Sequence, residues 1–264
     1  MQPAAYCFYK TFEPSGPSQF QMDRHYLLYA LEGTLRLEAE GQRWTLPPAR
    51  AALISAGHEV TITILSRLTS ASVLYAPSFM TAPQEVLSVF DMSLLGRELV
   101  RECREWGPES GPHSPYAAQI FSALAQVTLK LALAPTKCVL PAPSSLALRR
   151  AMQLTEEQAH AAPTFVEVAR DSHQSPRALS RRFAKEMGMT WRDALRRVRV
   201  IRAVEHLAIT DASVTEIALS VGYGSLSGFN SAFQELMEMS PTEYRATLKS
   251  EQTSRRGAAT PVLD

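Results

Sequence analysis

The sequence predicts an α+β protein of two domains. The first is an N-terminal antiparallel β-barrel or jelly roll with helices attached, and the second is a C-terminal all-α domain in which a linker helix joins two helix-turn-helix units. Three observations predict it. Up to about residue 79, short β-branched and aromatic runs alternate with polar residues between turn signals. A stretch at 135–144 carries three prolines and no periodicity. Beyond it, apolar residues recur at helical spacing and one capping pattern occurs twice. At 264 residues the chain is long enough to bury two cores.

The strands are expected from Gln19 to about Phe79: HYLLYAL, LRLEAE and RWTL, with turns at Glu32-Gly33 and Glu40-Gly41, then AALIS, VTITILS and ASVLYA after Pro47-Pro48. Many short strands at this spacing suggest a closed or double-sheet antiparallel architecture. From Pro83 the pattern changes. Val86, Val89, Phe90, Leu94, Leu99 and Cys103 fall at helical intervals, so a helix is expected up to Trp106, with a second from about Pro115 to Ala134 along Ile120, Leu124, Val127 and Leu131. These helices are expected to pack on the β domain and to leave part of their surface for a homodimer contact. The expected organisation is therefore 1–82 β domain, 83–134 helical pair, 135–144 linker, 145–250 helical domain and 251–264 flexible tail.

Within the helical domain, Thr164-Phe-Val-Glu167 reads as a capping box. It opens a short helix with Val166 and Ala169 expected to face inward. Ser175-Pro176 starts the next helix, serine being a good N-cap and proline suiting the first helical position. On that second helix Leu179, Phe183 and Met187 share one face. Arg177, Ser180, Arg181 and Ala184 share the other, with Lys185 at its edge. The pattern returns about fifty residues later: Ser213-Val-Thr-Glu216 is again a capping box, Ala218 repeats Ala169, Gly222 repeats the turn position of His173, and Phe233 repeats Phe183. Between the two, Leu195, Val198, Ala203 and Leu207 lie on a long connecting helix. Such a connector lets two recognition helices reach successive major grooves, roughly 34 Å apart.

Charge is divided unequally. Residues 170–202 hold ten cations (Arg170, Arg177, Arg181, Arg182, Lys185, Arg192, Arg196, Arg197, Arg199 and Arg202) against Asp171, Glu186 and Asp193. Residues 203–250 hold only Arg245 and Lys249 against six acids. The net charge of +1 conceals this local field, which is what a polyanion would meet. The candidate DNA-contacting set is Arg177, Ser180, Arg181, Arg182 and Lys185 in the first unit, and Ser227, Gly228, Asn230, Ser231 and Gln234 in the second. In the later helix, Leu226, Phe229, Phe233 and Leu236 are expected inside. An arginine early on a recognition helix can donate two hydrogen bonds to guanine O6 and N7. Affinity is therefore expected to come mainly from the first unit.

The three cysteines, Cys7, Cys103 and Cys138, lack metal-ligand or CxxC spacing and read as reduced thiols. No window approaches the ~20 apolar residues of a membrane span, which points to a cytoplasmic protein without membrane contact.

The segments SPRALSRRFAKEMG, RVRVIRAVEHL and VTEIALSVGYGSLSGFNSAFQELMEMSPTEYR resemble the AraC/XylS family of bacterial regulators over about Ser145 to Lys249. Gly222, Tyr223, Phe229, Phe233, Ser240, Pro241, Tyr244 and Arg245 carry the signature. The resemblance implies double-stranded DNA as a partner, RNA polymerase if the chain activates, and base contacts at Arg177, Ser180 and Arg181, with Ser227, Gly228 and Ser231 in the second unit. His173 stands where a turn glycine is usual, Glu238 replaces another glycine, and the second recognition helix lacks its usual cations.

The stretch HYLLYALEGTLRLEAEGQRWTLPPARAALISAGHEV resembles, less specifically, a cupin-like sensor domain. Metal-binding cupins need converging histidines and a glutamate. Only His25 and His58 are present in this stretch, so no metal, cofactor or catalytic residue is expected. For a small-molecule effector the candidates are Arg24, His25, Tyr29, Trp44 and His58. The leading expectation is a sequence-specific DNA-binding regulator and not an enzyme. The alternatives are a cupin enzyme with an appended DNA-binding domain, and a regulator whose N-terminal domain serves only protein interaction.

Overall fold

In the computed structural model, residues 3–136 and 139–246 are described, and the side chain of residue 209 is not. Cys138, part of the expected linker and the expected 251–264 tail lie outside the described residues. The chain divides into two compact units, 1–139 and 140–264.

The first unit holds two antiparallel sheets. One runs in the order β1 (Ala5–Phe12), β8 (Leu68–Tyr75), β3 (His25–Glu32), β6 (Arg50–Ile54) and β9 (Leu87–Asp91). The other runs β5 (Gln42–Leu46), β4 (Leu35–Ala39), β7 (Glu59–Ile64) and β2 (Ser15–Gln21). Strand alternation sends Tyr26, Leu28 and Ala30 of β3 between the sheets, where they meet Leu35, Leu37, Trp44 and Leu46. The opposite face of β3 sends Leu27 and Tyr29 toward α1 (Leu94–Glu102) and α2 (Pro115–Ala132). β3 is thus buried on both faces.

Three strands depart from the sequence expectation. β1 precedes the expected first strand, and its residues alternate between two cores, Ala5 and Cys7 to one and Tyr6 to the other, so no polar face marks it. β2 was only partly expected: it is an exposed edge strand carrying Pro17 and a register shift between Ser15 and Ser18, both at home on an edge. β9 occupies residues where a helix was expected. It pairs with β6, Ala52 opposite Val89, and buries Leu87 and Val89 between the sheets and Phe90 toward the helices. A strand covered on both sides has no period of two, and its apolar run ahead of a true helix imitated helical spacing. The helix begins after Ser93, whose side chain accepts the Gly96 N–H at 3.1 Å. The domain boundary expected at residue 83 therefore moves, because β9 completes the first sheet. On α2 the buried face is Ala117, Phe121, Leu124, Ala125 and Thr128; of the expected stripe Leu124 is fully buried, while Ile120 and Leu131 are partly buried against the same core. Burial pushes the Cys7 thiol up to about 12 and raises that of Cys103.

The second unit is helical: α3 (Leu146–Gln158), α4 (Phe165–Asp171), α5 (Pro176–Arg182), α6 (Trp191–Ile209), α7 (Val214–Ser220) and α8 (Leu226–Met237), with 241–246 also helical. Leu148, Ala151, Met152, Val168, Ala169, Leu179, Phe183 and Trp191 form one core around α3 to α6. The Trp191 indole N–H donates to Thr155 Oγ1 at 3.0 Å, which satisfies its polar atom inside that core.

The strand assignment of β9 is tested by truncation. Phe90→Ala should cost about 3–5 kcal/mol and Leu94→Ala, on a side chain 71% exposed, less than about 0.5 kcal/mol, as measured by urea unfolding. Equal losses would restore the helix reading.

Candidate nucleic-acid interface

The first helix pair is fixed by three local devices. Thr164 Oγ1 accepts the Glu167 N–H at 3.3 Å while the Thr164 N–H donates to Glu167 Oε2 at 2.9 Å, completing the capping box. α4 then ends in a left-handed residue, His173 at φ 57°. There the His173 N–H donates to Arg170 O at 3.0 Å and the Gln174 N–H to Ala169 O at 2.8 Å, the paired bonds of a Schellman motif. Ser175 next caps α5 by accepting from the Ala178 N–H at 3.2 Å, with Pro176 at the helix start. Val168 and Ala169 face the core. Val166, expected inside, is 64% exposed, because the helix enters the core one residue pair later than the periodicity suggested.

α5 runs on through one π turn, Phe183–Met187, to Gly188 at φ 65°. In an α-helix, residues spaced by four drift around the axis by about 40° per step; the wider π turn counters that drift. Leu179, Phe183 and Met187 are all buried. On the other side Arg177, Ser180, Arg181, Ala184 and Lys185 are exposed. Arg177, Arg181 and Lys185 carry no hydrogen bond or ion pair among the described residues.

The second pair repeats the construction. Ser213 and Glu216 complete a capping box, and Gly222 at φ 96° occupies the left-handed position. Gly222 and Tyr223 donate to Leu219 O at 3.0 Å and Ala218 O at 2.9 Å. Ser225 caps α8, accepting from the Gly228 N–H at 3.2 Å. Ser227, Gly228, Asn230, Ser231 and Gln234 are exposed. Leu226, expected inside, is 40% exposed, as befits a first-turn residue ahead of the buried Phe229. An edge-to-face chain of rings, Tyr223, Phe229, Phe233 and Tyr244, with centroids 5.3–5.8 Å apart, ties α8 to the 241–246 helix. Glu238, at φ 60°, ends α8 as Gly188 ends the first unit.

Many of the cations counted in the sequence are engaged within the protein. Arg170 pairs with Asp171 at 2.8 Å and Arg196 with Glu235 of α8. Arg182, a candidate contact, donates to Gln174 Oε1 at 3.3 Å and lies 3.6 Å from Glu186. Glu186 in turn accepts the Ser145 N–H and hydroxyl at the start of α3, both at 2.8 Å. Partial burial would raise the Glu186 pKa, but these bonds together hold it below the ordinary carboxylate value. Arg199 and Arg202 donate to the carbonyls of Ala159 and Glu156 near the end of α3. The exposed cations without a partner among the described residues include Arg177, Arg181, Lys185 and Arg192.

The five N-terminal candidates do not share one face. Tyr29 packs toward the helices and Trp44 between the sheets, on opposite sides of the first sheet. Arg24 donates to Pro3 O at 2.9 Å and covers the Tyr6 ring. His25 is 3% exposed; its Nδ1 accepts the Ala56 N–H at 3.1 Å and burial lowers its pKa. His58 is exposed in the following turn. The five are not brought together as one binding set: Tyr29 faces the helices from β3, Trp44 faces the space between the sheets from β5, and Arg24 and His58 lie just outside the strands.

These paired helices, caps and left-handed turns define a DNA-binding domain of two helix-turn-helix units. Residues 168–247 match the family model described as a helix-turn-helix domain. The chain is similar to the ornithine utilization regulator of Pseudomonas aeruginosa, 35% identical over 83 residues, which cover 31% of this chain and 24% of that protein. It is also similar to the HTH-type transcriptional regulator NimR of Escherichia coli, 24% identical over 92% of this chain and 88% of that one. Among solved structures it resembles the C-terminal domain of AraT, a response regulator from Geobacillus stearothermophilus, at 35% identity and TM-score 0.38, covering 39% of this chain and 86% of that one. Over residues 168–247 the C-terminal unit is thus similar to the helix-turn-helix domain of transcriptional regulators. The chain spans only about a quarter of the length of several curated relatives it matches.

The two turns differ in what surrounds them. A Cβ on Gly222 would collide with Ala159 O and stand 2.9 Å from Arg199 Nη2, whereas His173 is exposed. His173→Gly should therefore change stability by less than about 1 kcal/mol, relief of left-handed strain being offset by chain entropy. Gly222→Ala should cost about 2–4 kcal/mol through strain and overpacking together. Hydrogen exchange across α4 to α8 measures both, and a harmless Gly222→Ala would contradict the packing described.

Proposed function

We propose that the chain is a sequence-specific DNA-binding transcriptional regulator and not an enzyme, acting in the bacterial cytoplasm. The observation that carries the reading is the exposed, unpartnered row Arg177, Arg181 and Lys185 on the second helix of a helix-turn-helix pair, with Ser180 between them. Arg177 and Arg181 read guanines in the major groove; Lys185, with Arg182 where it reaches past Glu186, holds phosphate. The family match over 168–247 and relatives named as transcriptional regulators support it.

In the second unit Ser227, Gly228, Asn230, Ser231 and Gln234 line the groove-facing side, a neutral surface on a helix whose Glu235 occupies Arg196 of α6. That unit contributes contact but little counterion release. In this reading the N-terminal unit is cupin-like. It serves a small-molecule effector, or a second copy of the chain, by favouring one arrangement of the protein over another. Leu94, Leu95, Tyr116 and Leu133, exposed on and beside α1 and α2, support a homodimer contact there. RNA polymerase joins the partners if the regulator activates.

The test is a binding assay of the full chain on the promoter region beside its own gene at fixed salt. Arg181→Ala should weaken binding about 5- to 150-fold, the worth of one bidentate base contact, and Ser231→Ala less than about threefold. A larger loss from the serine change would reverse the proposed division of labour. No preference for this region over unrelated DNA at low salt would remove the reading.

A further inference from the structure

The structure assigns Arg199 a role that its charge conceals: it is the residue that sets the distance between the two recognition helices, by clamping the Gly222-Tyr223 turn of the second unit to the end of α3 in the first. This inference rests on the proposal that both units contact DNA.

Four observations converge on Arg199. It sits on α6, the helix shared by both units, and its Nε donates to Ala159 O at 3.0 Å. Ala159 is fully buried, follows the last residue of α3 and belongs to the core of the first unit. Carbonyls at a helix end have no partner within the helix and carry negative partial charge, so a guanidinium satisfies both hydrogen-bonding and electrostatic needs there. The same guanidinium lies 5.6 Å from the centre of the Tyr223 ring, a cation over an aromatic face. Gly222, immediately before Tyr223, has no room for a Cβ between Ala159 O and Arg199 Nη2. One turn further along α6, Arg202 donates to Glu156 O of α3, a second tether of the same kind.

The consequence is geometric. The turn of the second unit is where α7 hands over to α8, so its position fixes where α8 starts. Besides Arg199 the second unit is held to α6 by buried apolar side chains such as Val200, Val204 and Leu207, which are non-directional, by the Arg196–Glu235 pair toward the far end of α8 and by a long Ser220–His206 hydrogen bond from α7, none of which holds the Gly222-Tyr223 turn itself. The planar guanidinium supplies the directional constraint, since its donors and its face are fixed relative to each other. In the first unit the equivalent turn residue, His173, is exposed, so only the second unit is positioned in this way. Arg199 is therefore a positioning residue for two-groove binding and not a phosphate contact.

The experiment uses the full chain and duplexes selected by it from a random pool. Binding is measured on the selected two-segment site, on sites with the segments moved by one or two base pairs, and on a duplex keeping only the segment contacted by the first unit. The variants are Arg199→Met, which keeps the apolar stem and loses donors and charge, and Arg199→Lys, which restores charge without the planar fork. Arg199→Met should bind the single segment within about twofold of the parent and lose about tenfold on the optimally spaced site, flattening the preference among spacings. Arg199→Lys should recover part of that preference. An unchanged spacing preference in Arg199→Met overturns the clamp. So does an equal loss on the single segment and the full site, which would make Arg199 a direct contact or a general support of the fold. If the parent chain selects no duplex, the DNA reading itself fails, an outcome distinct from either.

Discussion

The helical unit depends on one backbone constraint, a left-handed residue closing the first helix of each pair. At His173 and Gly222 the chain reverses through the same two hydrogen bonds, onto Arg170 and Ala169 in one case and Leu219 and Ala218 in the other. Those bonds satisfy carbonyls at the helix end and fix the angle at which the next helix leaves. Ser175 and Ser225 then start that helix at a defined residue. Rotating either turn would rotate every exposed side chain after it, so the arginine row on α5 exists as a row only because the turn before it is rigid.

The same device is set in different surroundings. The first turn is open, and the histidine costs only what any L-residue pays for the left-handed region. The second is packed against the end of α3, and only glycine fits. Charge follows a similar division. Several cations that look available in the sequence are engaged inside the protein, Arg196 with Glu235, and Arg199 and Arg202 on carbonyls of α3, while Arg182 lies beside Glu186 with part of its side chain still exposed. What remains exposed and unpartnered among the described residues is concentrated on α5 and at the start of α6. A local field of that kind attracts a polyanion while the whole chain stays near neutral.

Much of this was legible in the sequence because it rests on local rules. Capping boxes, serine caps and the two faces of α5 follow from spacing alone, and so did the equivalence of His173 with Gly222. What escaped was set by tertiary context. β1 and β9 are apolar on both faces and offer no alternation to read, while β2 is an exposed edge strand with little apolar pattern. Val166 and Leu226 sit in first turns, where periodicity does not say how far the helix has entered the core. Arg199 was counted as one cation among ten; nothing in its neighbours along the chain reveals that the partner carbonyl lies forty residues earlier. The scattered positions of Tyr29 and Trp44 likewise required the sheet pairing.

The central claim is that α5 lies in a major groove with its arginines against guanine edges. Guanine N7 methylation interference on a selected duplex addresses it directly, comparing the parent chain with Arg177→Ala. The account predicts interference at guanines of one major-groove segment, with at least one position lost in the variant and weaker interference one helical turn away. Interference absent from both segments, or concentrated in the segment that Arg177→Ala leaves untouched, would contradict it.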